Sequence, residues 1–139
     1  MQDLIQQVRR RAGERCEYCR IPQAAFRRPF HIEHIVAKQH GGLTDLDNLA
    51  LACWHCNLKK GPNLAGVDPE TGSLVALFHP RKDTWADHFA IRIEILVPRG
   101  LEIRGLTPVG RATIQVLGLN DEMRQLLRHQ LWQEGLYGS

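Results

Sequence analysis

The chain has 139 residues, 43% of them hydrophobic and 24% charged, and a formal net charge of +3. That composition supports one compact domain with a core and excludes a wholly disordered chain. It holds no apolar run near the ~20 residues needed to span a membrane and no apolar signal-peptide core at its start, so a cytoplasmic protein is expected.

In chain order, residues 2–12 predict a basic amphipathic helix, with Leu4, Ile5 and Val8 at helical spacing and Gly13 as its stop. The charge is uneven. Arg9, Arg10, Arg11, Arg15, Arg20, Arg27 and Arg28 crowd the first part, and Lys59 and Lys60 follow later. Guanidinium groups match phosphate oxygens and stay charged. A solvated helix face is the alternative, but these residues flank the other unusual features, which directs the reading to nucleic acid.

Four cysteines form two equally spaced pairs, Cys16–Cys19 and Cys53–Cys56. Two residues between sulfurs let one turn present both thiolates to one metal, and two such pairs complete a closed tetrahedral zinc site. A disulfide pair, a thioredoxin-like redox site and four buried thiols are the competing readings. Nothing marks the chain as secreted, which disfavours disulfides, and a second copy of the motif favours a shared metal over redox chemistry. Thirty-three residues separate Cys19 from Cys53, so zinc would pin both ends of a whole element.

Inside that insert, PFHIEHIVA predicts a strand, Gly41-Gly42 a turn, residues 44–48 a polar loop and Leu49 to Ala52 a second strand. Residues 57–60 predict a first helical turn stopped by Gly61-Pro62. A hairpin with a helix laid on it would bring Glu33, His34, Asn48 and Asn57 together. Strand alternation puts His31 on the face of Glu33, where it assists a metal or phosphate or is a surface histidine. His40 reads as a loop residue. His55 is a substitute zinc ligand only if a thiolate is missing, and Lys59 and Lys60 are phosphate contacts or a solvated helix end.

From Cys16 to Gly61, on CEYC, IEHIVAKQHGG and TDLDNLALACWHCNLKKG, the sequence resembles the HNH endonucleases, the ββα-metal nucleases, in their zinc-stapled form. The match to the family pattern runs through Glu33-His34, then Asn48 fourteen positions after His34, then Asn57 nine positions further on. The resemblance implies an α+β protein: a ββα-metal nuclease module with a structural four-cysteine zinc site, plus a C-terminal β-hairpin and helices packed on it. It implies DNA as partner, phosphodiester hydrolysis with His34 as general base, and products with 5′-phosphate and 3′-hydroxyl ends. Imidazole titrates near neutrality and suits that role. Glu33 and Asn57 offer hard oxygens for one catalytic Mg2+ or Mn2+, while Asn48 braces the loop and aligns His34. Two residues depart from the common pattern: glutamate stands where aspartate is frequent, and Asn57 replaces a commoner histidine.

Downstream, residues 66–72 read as a turn before the strand SLVALF. HPRKDTWADHF gathers His79, Arg81, Trp85 and His88. It is read first as a strand end and a capped helix packing Trp85 and Phe89, with His79 and Arg81 on the scissile phosphate as the alternative. IRIEILVP alternates Ile91, Ile93, Ile95 and Val97 against Arg92 and Glu94, and Pro98-Arg99-Gly100 turns it into LEIRGL. Thr107-Pro108 starts a helix that stops near Gly118. Asn120 caps another, closed by Gly135, with Met123, Leu126, Leu127 and Leu131 as its apolar stripe.

Two regions are expected, residues 1–66 as the module with its N-terminal helix and 67–139 as an extension of the same compact unit. A non-catalytic zinc module binding nucleic acid is the second functional reading, and a redox protein the third. A homodimer or a partner would supply any specificity.

Overall fold

The computed structural model describes residues 2–93 and 100–138. The first helix, α1 (Gln2–Arg11), carries Asp3 in its first turn and Arg9, Arg10 and Arg11 in its last, the arrangement that suits the helix dipole. Val8 is its buried residue, and Gly13 and Glu14 leave the helix at positive φ.

The insert between the cysteine pairs forms β1 (His31–His34) and β2 (Leu49–Ala52), paired antiparallel with His31 opposite Ala52 and His34 opposite Leu49. β1 is shorter than the strand predicted from PFHIEHIVA. Past His34 a side chain takes over from the partner strand: Val36 N–H donates to Asn48 Oδ1 at 2.8 Å, and Asn48 Nδ2 donates to Val36 O at 2.9 Å. The two turn glycines do different work. Gly41 adopts a left-handed φ of 86°, whereas a Cβ on Gly42 would lie 1.7 Å from Val36 O.

Helix α2 (Trp54–Lys60) begins before residue 57, where the sequence places its first turn. The reason is Cys53, whose sulfur caps the helix by accepting from Cys56 N–H.

Two further two-stranded sheets follow, β3 (Ala65–Val67) with β4 (Leu74–Ala76), and β5 (Phe89–Ile93) with β6 (Leu101–Gly105), each antiparallel. The short helix α3 (Trp85–His88) leads into β5. Ile95, Val97 and the Pro98-Arg99 turn lie outside the described residues. Helix α4 (Pro108–Leu117) starts as expected, with Thr107 Oγ1 accepting from Gly110 N–H and Gly118 left-handed at its end.

Helix α5 (Glu122–Gln133) departs from expectation twice. Its N-cap is Asp121; Asn120 instead clamps β6, accepting from Ile103 N–H at 2.8 Å and donating to Ile103 O at 2.7 Å. Of its expected core-facing stripe, Leu127 and Leu131 do pack on the core, but Met123 and Leu126 do not. Met123 and Leu126 are exposed, whereas Arg128 and Leu131 are buried. Arg128 is tolerated there because three oxygens receive it, those of Leu101, Leu119 and Asn120.

One hydrophobic cluster runs from Val8 through the cysteines and β2 to Phe78, Ile103, Leu117 and Tyr137. The result is a small mixed α and β protein. Among the described residues, no helix is long and apolar enough to cross a membrane.

Candidate metal and nuclease site

The chain folds so that the two cysteine knuckles meet. Cys16, Cys19, Cys53 and Cys56 are all buried and unpaired as disulfides, and their sulfurs lie within 4.8 Å of one another. Tetrahedral zinc with Zn–S bonds near 2.3 Å sets sulfurs about 3.8 Å apart; Cys19 and Cys53 sulfurs stand 3.7 Å apart. The donor set therefore suits a structural zinc ion.

Its surroundings act unequally on the four sulfurs. Burial pushes the Cys16 and Cys56 thiols up. Burial acts the same way on Cys19, but hydrogen bonding to the other three cysteines and the charge of Arg124 draw it well down. Arg124 Nη2 donates to Cys53 Sγ at 3.3 Å and Cys19 Sγ at 3.7 Å. Tyr137 donates its hydroxyl to Cys19 O at 2.6 Å. These outer partners orient metal ligands. They come from the far end of the chain and carry no spacing signal in the sequence.

His55 does not join the cluster. Its Nε2 meets Leu117 O at 2.9 Å and Gly118 O at 3.1 Å, and burial lowers its pKa.

At the hairpin, Glu33, His34 and Asn48 come to one end. His34 faces Leu49 across the sheet, and Ile35 N–H donates to Asn48 O. His34 is half-buried, with Nε2 2.8 Å from Thr44 Oγ1. The Asn48 side chain holds both polar groups of Val36 and donates to Leu43 O at 2.9 Å, so it fixes the loop that carries Thr44. Sequence reasoning found Asn48 but not Thr44, a hydroxyl residue in a polar loop with nothing to single it out.

Glu33 points the other way, as strand alternation requires. It is 5% exposed and sits between Tyr18, whose hydroxyl donates to Oε1 at 2.5 Å, and Lys60, whose ammonium lies 3.0 Å from Oε2. Lys60 donates to Ile35 O at 2.8 Å. The Lys60–Glu33 approach is an ion pair without hydrogen-bond geometry, so Oε2 is a buried oxygen lacking a hydrogen bond. Burial raises the Glu33 pKa, and Lys60 and Tyr18 oppose it. Asn57 is half-buried on α2, three residues before Lys60 and therefore on the same helix face. Lys60 is no phosphate contact or solvated helix end: at 2% exposure it is part of the core. Lys59 stays exposed.

The remaining candidates separate cleanly. His31 is exposed at the opposite end of β1, and His40 is an exposed loop residue. His79 Nδ1 accepts from the backbone N–H of Arg81 and Lys82, and burial lowers its pKa. Arg81 pairs with Glu17, whose other oxygen accepts from Leu51 N–H at 2.8 Å. His88 bonds Thr107 Oγ1 at 2.6 Å. Trp85 donates to Tyr18 O at 2.8 Å and packs on Phe89 at 5.1 Å between ring centroids. Trp85 and Phe89 thus pack as the structural reading expects, although Thr84 makes no side-chain cap on the helix, and the segment also buttresses the cysteine knuckle through Tyr18.

The arginines also divide. Arg9 donates to Gln23, Arg11 to the carbonyls of Leu46 and Leu49, and Arg15 to Arg20 O. Arg20 lies over the Trp85 ring. Arg10, Arg27 and Arg28 are exposed.

A family model described as HNH endonuclease matches residues 16–63. No curated protein and no solved structure matches the chain.

Proposed function

We propose, from the HNH endonuclease match over residues 16–63, that this chain is a metal-dependent endonuclease hydrolysing DNA phosphodiester bonds, with β1, β2 and α2 as its ββα-metal module. Residues 1–66 carry the module with its N-terminal helix, and 67–139 are an extension of the same unit. The observation supporting the reading is the setting of His34: an imidazole at the strand end, held through Nε2 by Thr44 on a loop braced by Asn48. With Nε2 so held, Nδ1 takes the proton of the attacking water. A base fixed in orientation is what the step needs.

The hard-oxygen donors available to a catalytic ion are Glu33 and Asn57, and Glu33 Oε2 is already faced by the Lys60 ammonium at 3.0 Å. Glu33 and Asn57 would hold Mg2+ or Mn2+ through hard oxygens, and the ion would supply charge stabilisation at the scissile phosphate. Lys60 is the resident counter-charge of Glu33, so the two cations compete for one carboxylate.

The test is plasmid cleavage with magnesium or manganese, comparing the native protein with His34→Ala after both are shown to retain zinc. Nicking or linearisation that is lost with EDTA and falls by roughly 10²–10⁴ in the variant is expected. Equal cleavage by both would remove His34 as the base. No cleavage of duplex, single-stranded or branched DNA by the native protein would favour a non-catalytic zinc module that binds nucleic acid.

A further inference from the structure

Beside the cysteine cluster lies a cleft of about 620 Å³ that the hydrolytic chemistry does not use. Its walls combine two kinds of group. Aromatic rings come from Phe26, Phe30 and Trp54, and cationic side chains from Arg27, Arg28 and Arg124. Among the described residues, those lining it include no aspartate or glutamate. It therefore presents stacking surface and positive charge; the Cys53 sulfur also lines it and is faced by Arg124, which leaves Arg27 and Arg28 as the cations turned to a ligand.

The geometry is built in advance. Phe26 and Phe30 pack at 5.8 Å between ring centroids, and the loop between them is clamped by one residue. Gln23 accepts from Phe30 N–H at 2.6 Å and donates to Arg28 O at 2.8 Å. Arg9 in turn donates to Gln23 at 2.9 Å. Arg27 and Arg28 are thereby held exposed on a fixed backbone. Across the cleft, Trp54 opens α2 and is 62% exposed, an unusual cost for the largest apolar side chain.

We infer that this cleft binds an unpaired nucleotide of a DNA strand, its base against the Trp54 indole and its phosphate against Arg27 and Arg28. A base offers its ring face to an aromatic side chain only when unstacked, and arginine forks match phosphate. A paired duplex would use the arginines and leave Trp54 without a partner.

His31 also lines the cleft and is the first residue of β1, which ends at His34. At about 3.3 Å per residue the two backbone positions are roughly 10 Å apart along β1, with their side chains on opposite faces, so a single-stranded segment joins them by passing round the strand. The placement of that segment toward His34 rests on the proposed nuclease function; the chemistry of the cleft does not.

The experiment uses the zinc-loaded His34→Ala protein, so that binding is read without cleavage, and oligothymidylate, oligouridylate and a duplex of equal length as probes. Fluorescence anisotropy is expected to show tighter binding of oligothymidylate than duplex. Trp54→Ala, with zinc content unchanged, should weaken oligothymidylate binding by on the order of tenfold to a hundredfold, and Trp54→Phe should restore much of it. Arg27→Ala with Arg28→Ala should lower the slope of log affinity against log salt by about 0.7 for each phosphate no longer neutralised.

Unchanged affinity in Trp54→Ala, or equal loss in Trp54→Ala and Trp54→Phe, would overturn the stacking site. Preference for duplex would overturn the unpaired nucleotide, and preference for oligouridylate its assignment to a DNA strand. Tryptophan-dependent binding in a protein that cleaves no DNA leaves the cleft standing and removes the nuclease. Cleavage with binding indifferent to Trp54 does the reverse.

Discussion

Lys60, in the segment bounded by the cysteine pairs and the turn that follows them, and Arg128, in the last helix, are both nearly inaccessible, at 2% and 0% exposure. Their partners differ in kind. Lys60 lies against a carboxylate, Glu33, one of whose oxygens has no hydrogen bond. Arg128 meets only neutral acceptors, the carbonyls of Leu101 and Leu119 and the amide oxygen of Asn120. A buried cation facing carbonyls fastens segments together, here joining β6 to the start of α5. A buried cation facing a carboxylate balances a charge that another cation could balance. Arg128 is thus a fastening, whereas the Lys60 site is, on the proposed function, an exchangeable one.

Removing the metal breaks that comparison most severely, because both regions depend on it. The knuckles tie the insert at both ends, and Arg124 and Tyr137 tie the C-terminal segment to the same cysteines. Structural zinc contributes on the order of 10 kcal/mol in small modules, comparable with the whole stability of a domain. Stripping zinc, or Cys53→Ser, should abolish cooperative thermal unfolding measured by circular dichroism. One zinc per chain is expected by metal analysis. A sharp transition in the metal-free protein would show that the cluster is ornamental.

The next largest effect separates the two cations directly. Lys60→Met leaves Glu33 buried without its counter-charge, a loss of about 3–5 kcal/mol in urea unfolding. Adding Glu33→Gln should return part of it, since contacting partners couple by about 0.5–3 kcal/mol. Arg128→Met strands the Leu101 and Leu119 carbonyls at about 1–3 kcal/mol each, while Asn120 Oδ1 keeps Ile103 N–H, and no single second substitution should rescue it. Equal rescue in both regions would erase the distinction between the two cations.

How far these regions were legible follows from the same physics. The cysteine spacing is local information with one efficient use, and the knuckles form where it places them. Thr107, Pro108 and Gly118 delimit α4 as read, because caps act within a turn of their own residue. What depends on long-range partners was not legible. Glu33 looks the same in sequence whether it meets solvent or Lys60. Asn48 ends β1 early through a bond twelve residues away. In α5 the hydrophobic pattern selected Met123 and Leu126 for the core, yet arginines 124 and 128 take the inward positions, because the sulfurs and carbonyls they meet come from other segments. The cleft was invisible for that reason too: Arg28 and Trp54 lie far apart in sequence and meet only once the knuckles close.

The smallest effect sharpens the comparison by pH. Asp68 and Arg111 form a charge pair of the C-terminal part that does include a carboxylate. Arg111 Nε and Nη2 donate to the two Asp68 oxygens at 2.9 and 3.0 Å. Those bonds, helped by Glu70 N–H and Thr71, hold the Asp68 carboxyl far below the usual range. An unperturbed aspartate titrates near 3.9, so the folded protein keeps Asp68 ionised where the unfolded chain protonates it. The stabilisation is therefore complete above about pH 4 and is lost as pH falls toward the depressed folded value. Asp68 is fully buried and Arg111 is 23% exposed, whereas Glu70, the second partner of Arg111, is 69% exposed and is screened by solvent and salt. The thermal midpoint of the native protein should exceed that of Asp68→Asn at neutral pH, and the two should converge on acidification. Parallel curves from pH 7 to pH 2 would mean that the pair fixes geometry without contributing charge-dependent stability.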